Sequence, residues 1–183
     1  MMAMEEGLLS MNNSEKIVLV DLDDRIIGSE TKARIHKEGL LHRAFSIFIL
    51  DDTRMLLQKR NNDKYHSGGL WSNACCSHQR EREMLDDAVH RRLNEELGLD
   101  CSLSEVFSFV YRTVFENGLT EYEYDHVFVG KYSGTININY EEVSEVKWFE
   151  FEELKKLMQG NPELFSSWFI IAAPRIMRIV EEK

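Results

Sequence analysis

Residues 77 to 99, Ser-His-Gln-Arg-Glu-Arg-Glu-Met-Leu-Asp-Asp-Ala-Val-His-Arg-Arg-Leu-Asn-Glu-Glu-Leu-Gly-Leu, constrain this chain more than any other stretch. From Met84 to Leu97 the apolar residues recur at helical spacing. Leu85, Val89, Leu93 and Leu97 stack on one face, as a helix lying against a core requires. Gly98 stands where such a helix ends in a left-handed cap. Arg92 and Glu96 fall inside that apolar face, four residues apart. An ion pair at this spacing is ordinary on a solvated face. Here it points inward, where charge is costly without a partner. Glu96 is therefore a candidate ligand for a hard cation such as Mg²⁺.

The elements around this helix alternate in type. Lys16 to Val20 reads as a strand with a short return through Ile26, Ile27 and Gly28, and Glu30 to Lys37 as a helix stopped by Gly39. Ala44 to Leu50 and Met55 to Arg60 are apolar runs around Asp51-Asp52-Thr53, the pattern of a hairpin. A polar loop with two glycines follows from Asn61 to Gly69. Leu103 to Phe115 and Thr120 to Tyr132 flank Asn117-Gly118, a strong hairpin signal. Val143 to Phe149 reads as a strand, and Glu152 to Met158 and Ser166 to Glu181 as helices. The expected class is α/β, with a mixed β-sheet sandwiched between helices.

The chain has 183 residues, only two prolines and no repeat or low-complexity stretch, so a single domain over 16–183 is expected after a flexible N-terminal tail, 1–15. A net charge of −10 argues against nucleic acid or an anionic membrane as the main partner. It leaves room for a small anionic substrate, because a local cation cluster or a bound metal reverses the field inside a cleft. No apolar run approaches a membrane span, and the first residues lack the basic region of a signal peptide. Three cysteines, Cys75, Cys76 and Cys101, make no disulfide framework and fit a reduced, cytoplasmic protein.

Other groups carry candidate chemistry. In the strand from Thr120, Glu121, Glu123 and Asp125 share one face, and Tyr122, Tyr124 and His126 the other. Either face could be the core face, so the strand alone is ambiguous. His36 and His42 bracket Gly39, and His78 follows Cys76 by two residues. Three histidines with two carboxylates would suit Mn²⁺, Zn²⁺ or Mg²⁺, although their spacing is no zinc signature. His66, His90 and His126 have no such company and read as structural. Cys76 near a metal or basic groups could exchange a proton with substrate, whereas Cys75 alternates away toward the core.

The 77 to 99 stretch resembles the Nudix box, with Glu83, Arg91, Leu93, Glu95, Glu96, Gly98 and Leu99 in register. Ser77 replaces the leading glycine, and Arg92 stands where hydrolases carry a metal-binding glutamate. With Trp71-Ser72-Asn73-Ala74-Cys75-Cys76-Ser77-His78, Tyr-Glu-Tyr-Asp-His at 122 to 126 and Phe165-Ser166-Ser167-Trp168, the chain resembles the type 1 isopentenyl-diphosphate isomerases of the Nudix fold. The resemblance implies catalytic roles for Cys76 and Glu123, with Tyr111 beside Glu123. It implies a divalent metal, Mn²⁺, Mg²⁺ or Zn²⁺, on His36, His42, His78, Glu121 and Glu123. A second Mg²⁺ would sit on Glu96 with the substrate diphosphate. Lys32, Arg60, Lys64 and Arg92 would bind the diphosphate, and Trp168 with Tyr111 would line the isoprenoid pocket.

The implied reaction converts isopentenyl diphosphate to dimethylallyl diphosphate for isoprenoid biosynthesis. Glu123, with Tyr111, protonates the terminal alkene carbon, and Cys76 thiolate removes a proton from C2 of the resulting tertiary carbocation. The expected partner is that small molecule, with the chain a monomer or weak homodimer. A diphosphate hydrolase would need more carboxylates in the box, and Arg92 argues against it. A silent binding domain would not need Cys76, three matched histidines and paired Glu121 and Glu123 together.

Overall fold

The computed structural model describes residues 15–182. The expected tail lies outside them except for Glu15, whose carboxylate accepts a bond from Arg80 Nε at 2.6 Å. The order is β1 (Lys16–Val20), β2 (Ile26–Thr31), α1 (Lys32–Glu38), β3 (His42–Leu50), β4 (Arg54–Arg60), β5 (Trp71–Asn73), β6 (Cys75–His78), α2 (Leu85–Leu97), β7 (Leu103–Val114), β8 (Thr120–Lys131), β9 (Val143–Glu150), α3 (Phe151–Gly160), a 3₁₀ turn (Pro162–Leu164) and α4 (Ser167–Glu181).

Strand β3 organises the sheet. Along one edge it runs parallel to β8 from His42↔Glu123 to Leu50↔Lys131. Its other edge is shared in sequence by β1 at His42, by β6 from Ala44 to Ile47, and by β4 at Ile49 and Leu50, all antiparallel. The sheet is therefore mixed, as expected. Being paired on both edges and covered on both faces, β3 is almost wholly apolar after Arg43.

Strand alternation divides the core in two. Phe45, Ile47 and Ile49 pack with Val89, Leu93 and Leu97 of α2. Phe48 and Leu50 pack with Phe169, Ala172 and Ile176 of α4 and Leu154 of α3. Leu93 and Leu97 are fully buried, each stabilising by about 1.5–3 kcal/mol. The apolar face read from the sequence of α2 thus fixes that helix on the sheet. Gly98 ends α2 at φ 60°, where a Cβ would also meet the Asn137 carbonyl oxygen at 2.8 Å. Both the handedness and the space require glycine there.

Beyond shifts of a residue or two at element ends, two differences from expectation matter. Strand β2 continues through Ser29 and Glu30, which pair with Val18 and Ile17, so α1 begins at Lys32 rather than Glu30. The short strands β5 and β6 carry no apolar alternation that would announce them. Their polar side chains are buried because each finds a partner: Asn73 Nδ2 donates to the Ile47 and Cys75 carbonyls, and Ser72 meets Ser166. No helix of the described residues is long and apolar enough to cross a membrane.

Candidate active site

The acidic face of β8 is the buried one. Glu121, Glu123 and Asp125 are buried, and Tyr122 and Tyr124 are only partly so, which resolves the ambiguity of the strand pattern. His42 opens β3 directly opposite Glu123 in the parallel ladder, His78 closes β6, and His36 lies in the last turn of α1. Three elements thereby converge on Glu121 and Glu123. One oxygen of Glu121 lies 3.0 Å from His36 Nε2, and the other 3.5 Å from His42 Nε2 and 4.0 Å from His78 Nε2. Glu123 Oε1 lies 2.9 Å from His78 Nε2 and 3.6 Å from His42 Nε2.

Two tests show that this cluster fits a divalent metal. His36 Nδ1 and His42 Nδ1 face the Lys32 and Leu40 carbonyls at 2.6 and 2.9 Å, the arrangement that aims Nε2 at a common point. Among the described residues, His42 Nε2 and Glu121 Oε2 are buried without a hydrogen-bond partner. Donor atoms of His36, His42, His78 and Glu121 all lie within 4.8 Å of one another. Burial works against the charged form of His42, but Glu121 and Glu123 lift its pKa to about 9. Burial pushes His78 down to about 4. Burial would raise Glu121, but the neighbouring His36 and His66 hold it well below the usual carboxylate range.

Beside the cluster is a cavity of about 430 Å³. Cys76, Tyr111, Glu123 and Trp168 line it, together with the cations Lys32, Arg60, Lys64 and Arg92 and the carboxylate of Glu96. His36 and His42 stand behind this wall. Tyr111 donates its hydroxyl to Glu123 Oε2 at 2.6 Å. Burial pushes the Cys76 thiol up to about 12, against the pull of Arg60, whose Nη1 lies 3.6 Å from Sγ. Cys75, the alternate residue of β6, is fully buried in the α2 core. Trp168 is pinned by Nε1 donating to Ser72 Oγ at 2.9 Å and Asn73 Oδ1 at 3.1 Å, and Arg60 lies 5.3 Å from its ring centre.

The inward pair on α2 is present and lies in the cavity wall. Arg92 donates to Glu96, to Glu95 at 2.7 Å and to Glu142 at 3.1 Å. Desolvation works against its charge, but Glu96 and Glu142 keep it firmly protonated. Glu96 also accepts from Gln58 Nε2 at 3.0 Å. Glu142 joins Arg92 to Lys64. Neither Gln58 nor Glu142 stood out in the sequence, because one is a polar residue in an apolar strand and the other lies in a loop with no motif.

The expectation that His66 has no such company is corrected. Its Nε2 lies 2.5 Å from Glu121 Oε1, and the residue is buried at the cavity wall. His126 also has partners, Glu105 at 2.7 Å and Asp24 at 3.1 Å, and His90 meets Asp100 at 2.5 Å, both away from the cavity. Asp125, behind Glu123, accepts from Ser46 Oγ at 2.8 Å. Burial and the Glu123 charge raise it well above the usual carboxylate range.

The NUDIX domain model matches residues 40–169. Isopentenyl-diphosphate Delta-isomerase 2 of Photorhabdus laumondii subsp. laumondii is 51% identical over 156 residues, covering 85% of this chain and 88% of that protein. Isopentenyl-diphosphate Delta-isomerase of Burkholderia multivorans is 52% identical, covering 85% and 89%. The crystal structure of DR0079 from Deinococcus radiodurans superposes with a TM-score of 0.71 over 88% of this chain and 98% of that one, at 16% identity, a likeness of fold. The chain belongs to the NUDIX domain proteins and, within them, to the isopentenyl-diphosphate Delta-isomerase family.

Proposed function

We propose that this enzyme isomerises isopentenyl diphosphate to dimethylallyl diphosphate, with Cys76 and the Tyr111–Glu123 pair as its proton-transfer groups. One observation carries the reading: a single cavity presents both groups to the same small volume, with basic side chains at its wall. An unactivated alkene is a very weak base, so the site must deliver a proton and keep water from the cation that follows.

Lys32, Arg60, Lys64 and Arg92 bind the diphosphate. Lys64 and Arg92 already meet across Glu142, and Arg92 also pairs with Glu96, so an entering diphosphate exchanges carboxylate partners for phosphate oxygens. Glu96 keeps lone-pair capacity beyond its bonds to Arg92 and Gln58, and would hold Mg²⁺ with the diphosphate. His36, His42, His78, Glu121 and Glu123 would hold a second divalent ion, Mn²⁺, Mg²⁺ or Zn²⁺. When bound, such an ion supplies positive charge that makes neighbouring groups more acidic.

Glu123, hydrogen-bonded to Tyr111, adds a proton to the terminal alkene carbon. The double bond's electron pair forms the new C–H bond and leaves a tertiary cation. Cys76 then takes the C2 proton, and that C–H pair becomes the new double bond. Cys76 acts as a thiolate faced by the Arg60 cation, so each turnover moves one proton from Glu123 to Cys76, and exchange with solvent between turnovers returns it. The Trp168 ring, held in place through Nε1, offers its face to the cation. The three cysteines are free, which fits action in a reducing compartment such as the cytoplasm. The enzyme's partner is the small diphosphate, and it acts as a monomer or weak homodimer.

Removing one acid–base group costs about 10²–10⁴-fold in rate. Cys76→Ala is therefore expected to lose at least about 100-fold in turnover, with its circular dichroism and metal content unchanged. A fully active variant would remove the thiol from the mechanism.

A further inference from the structure

His66 reaches the metal-ligating cluster from a loop, whereas the other histidines come from the sheet and α1. It lies between β4 and β5, in the same connection as Lys64 and just after Arg60. Its ring is stacked on Phe115, with centroids 4.3 Å apart and planes within 7°. Tyr65 and Trp168 meet it edge-on at 4.4 and 5.9 Å. Nδ1 lies 3.2 Å from Ser67 Oγ, and Nε2 lies 2.5 Å from Glu121 Oε1. A Ser67 hydroxyl donating to Nδ1 leaves the ring proton on Nε2, so His66 donates to Glu121.

We propose that His66 is a positioning residue, whose Nε2–H holds Glu121 Oε1 so that Oε2 is presented to the metal, tying the metal centre to the diphosphate-binding loop. The inference rests on the reading of the His/Glu cluster as a metal centre. His36 also approaches Oε1, at 3.0 Å. Its Nδ1 faces the Lys32 carbonyl at 2.6 Å and carries the ring proton, which frees Nε2 to ligate. A ligating nitrogen does not donate, so in the loaded centre His66 is the donor that remains to Oε1. Oε2, turned toward His42 and His78, has no hydrogen-bond partner among the described residues. A metal-ligating carboxylate is commonly fixed in this way through its second oxygen.

The loop is held at His66 and at the residue before it. Its carbonyl accepts from Arg60 Nη2 at 3.5 Å, and the Tyr65 carbonyl accepts from Asn117 Nδ2 at 2.8 Å. Lys32 lies 5.1 Å from the centre of the Tyr65 ring. The contacts that set His66 on Glu121 thus also set Arg60 and Lys32 at the cavity.

The test is Mn²⁺ titration of the full chain, stripped and reloaded, followed by electron paramagnetic resonance. The proteins are wild type, His66→Ala, His66→Gln and His42→Asn. His66→Ala is expected to weaken Mn²⁺ binding by about 10–100-fold, the usual effect of removing a partner of a metal ligand. His66→Gln should recover most of the affinity, because its amide can donate to the same oxygen. Wild-type affinity in His66→Ala, with binding lost in His42→Asn, would overturn the role of His66 alone. Equal losses in His66→Ala and His66→Gln would assign the effect to packing on Phe115 and also overturn it. Undiminished binding in His42→Asn would overturn the metal centre itself, and the proposal with it.

Discussion

Two adjacent cysteines have opposite fates because they lie on a strand. In β6, Cys75 pairs with Ile47 and Cys76 with Ser46, so one thiol enters the apolar core and the other the cavity. The sequence reading placed the two cysteines on alternate sides as chain neighbours, although nothing in it announced β6 itself. The inward pair Arg92–Glu96 was legible from helical spacing. What spacing could not supply was the third partner of each: Glu142, Gln58 and, for Glu121, His66. All three come from parts of the chain far from the motif, and their approach depends on tertiary closure. The role of Arg92 can be tested by restoring the glutamate of hydrolases. Arg92→Glu places a carboxylate among Glu95, Glu96 and Glu142, and removes a charge-assisted bond to the diphosphate. A rise in KM of about 10–100-fold is expected, the equivalent of 1.5–3 kcal/mol. Efficient release of phosphate by this variant would contradict the anion-binding role.

Helix α2 shows how one element joins stability to the site. Its apolar face binds the sheet, while its start is fixed by Glu83. Glu83 accepts from the Arg80 backbone N–H at 3.1 Å and from Arg91 Nη2 at 2.9 Å. Burial works against the Glu83 carboxylate, but these bonds outweigh it and lower its pKa. A carboxyl group lowered in the folded state adds stability above its unfolded pKa, and that stability is lost as pH falls through the folded value. Glu83→Gln is expected to cost about 1–2 kcal/mol at pH 7, with the gap to wild type closing as pH falls below about 4. A gap that stays constant down to acid pH, in denaturant melts, would remove the ionic role. The long elements were readable because apolar periodicity extends over many residues. β5 was not, because buried Ser72 and Asn73 are satisfied by side-chain bonds that a pattern of apolar residues does not register.

At the scale of the whole molecule, β3 places the site. Its first residue, His42, stands between β1 and β8, and β6 and β8, each paired with β3 on opposite edges, bring Cys76 and Glu123 to either side of that strand. The mixed sheet expected from sequence is this arrangement, although the parallel β3–β8 pairing is nonlocal and no local signal announces it. Because ligands from α1, β3, β6 and β8 meet in one cluster, a metal bound there links distant parts of the chain. Metal present at 100 times its dissociation constant adds about 2.7 kcal/mol, so chelation is expected to lower Tm by about 5–10 °C. An unchanged Tm after confirmed metal removal would separate the cluster from stability. The central claim, proton addition at one carbon and removal at the next, is tested most directly by proton NMR in D₂O with isopentenyl diphosphate and Mg²⁺. The account predicts dimethylallyl diphosphate carrying deuterium in a methyl group. Release of inorganic phosphate, or unchanged substrate with metal confirmed in the protein, would contradict it.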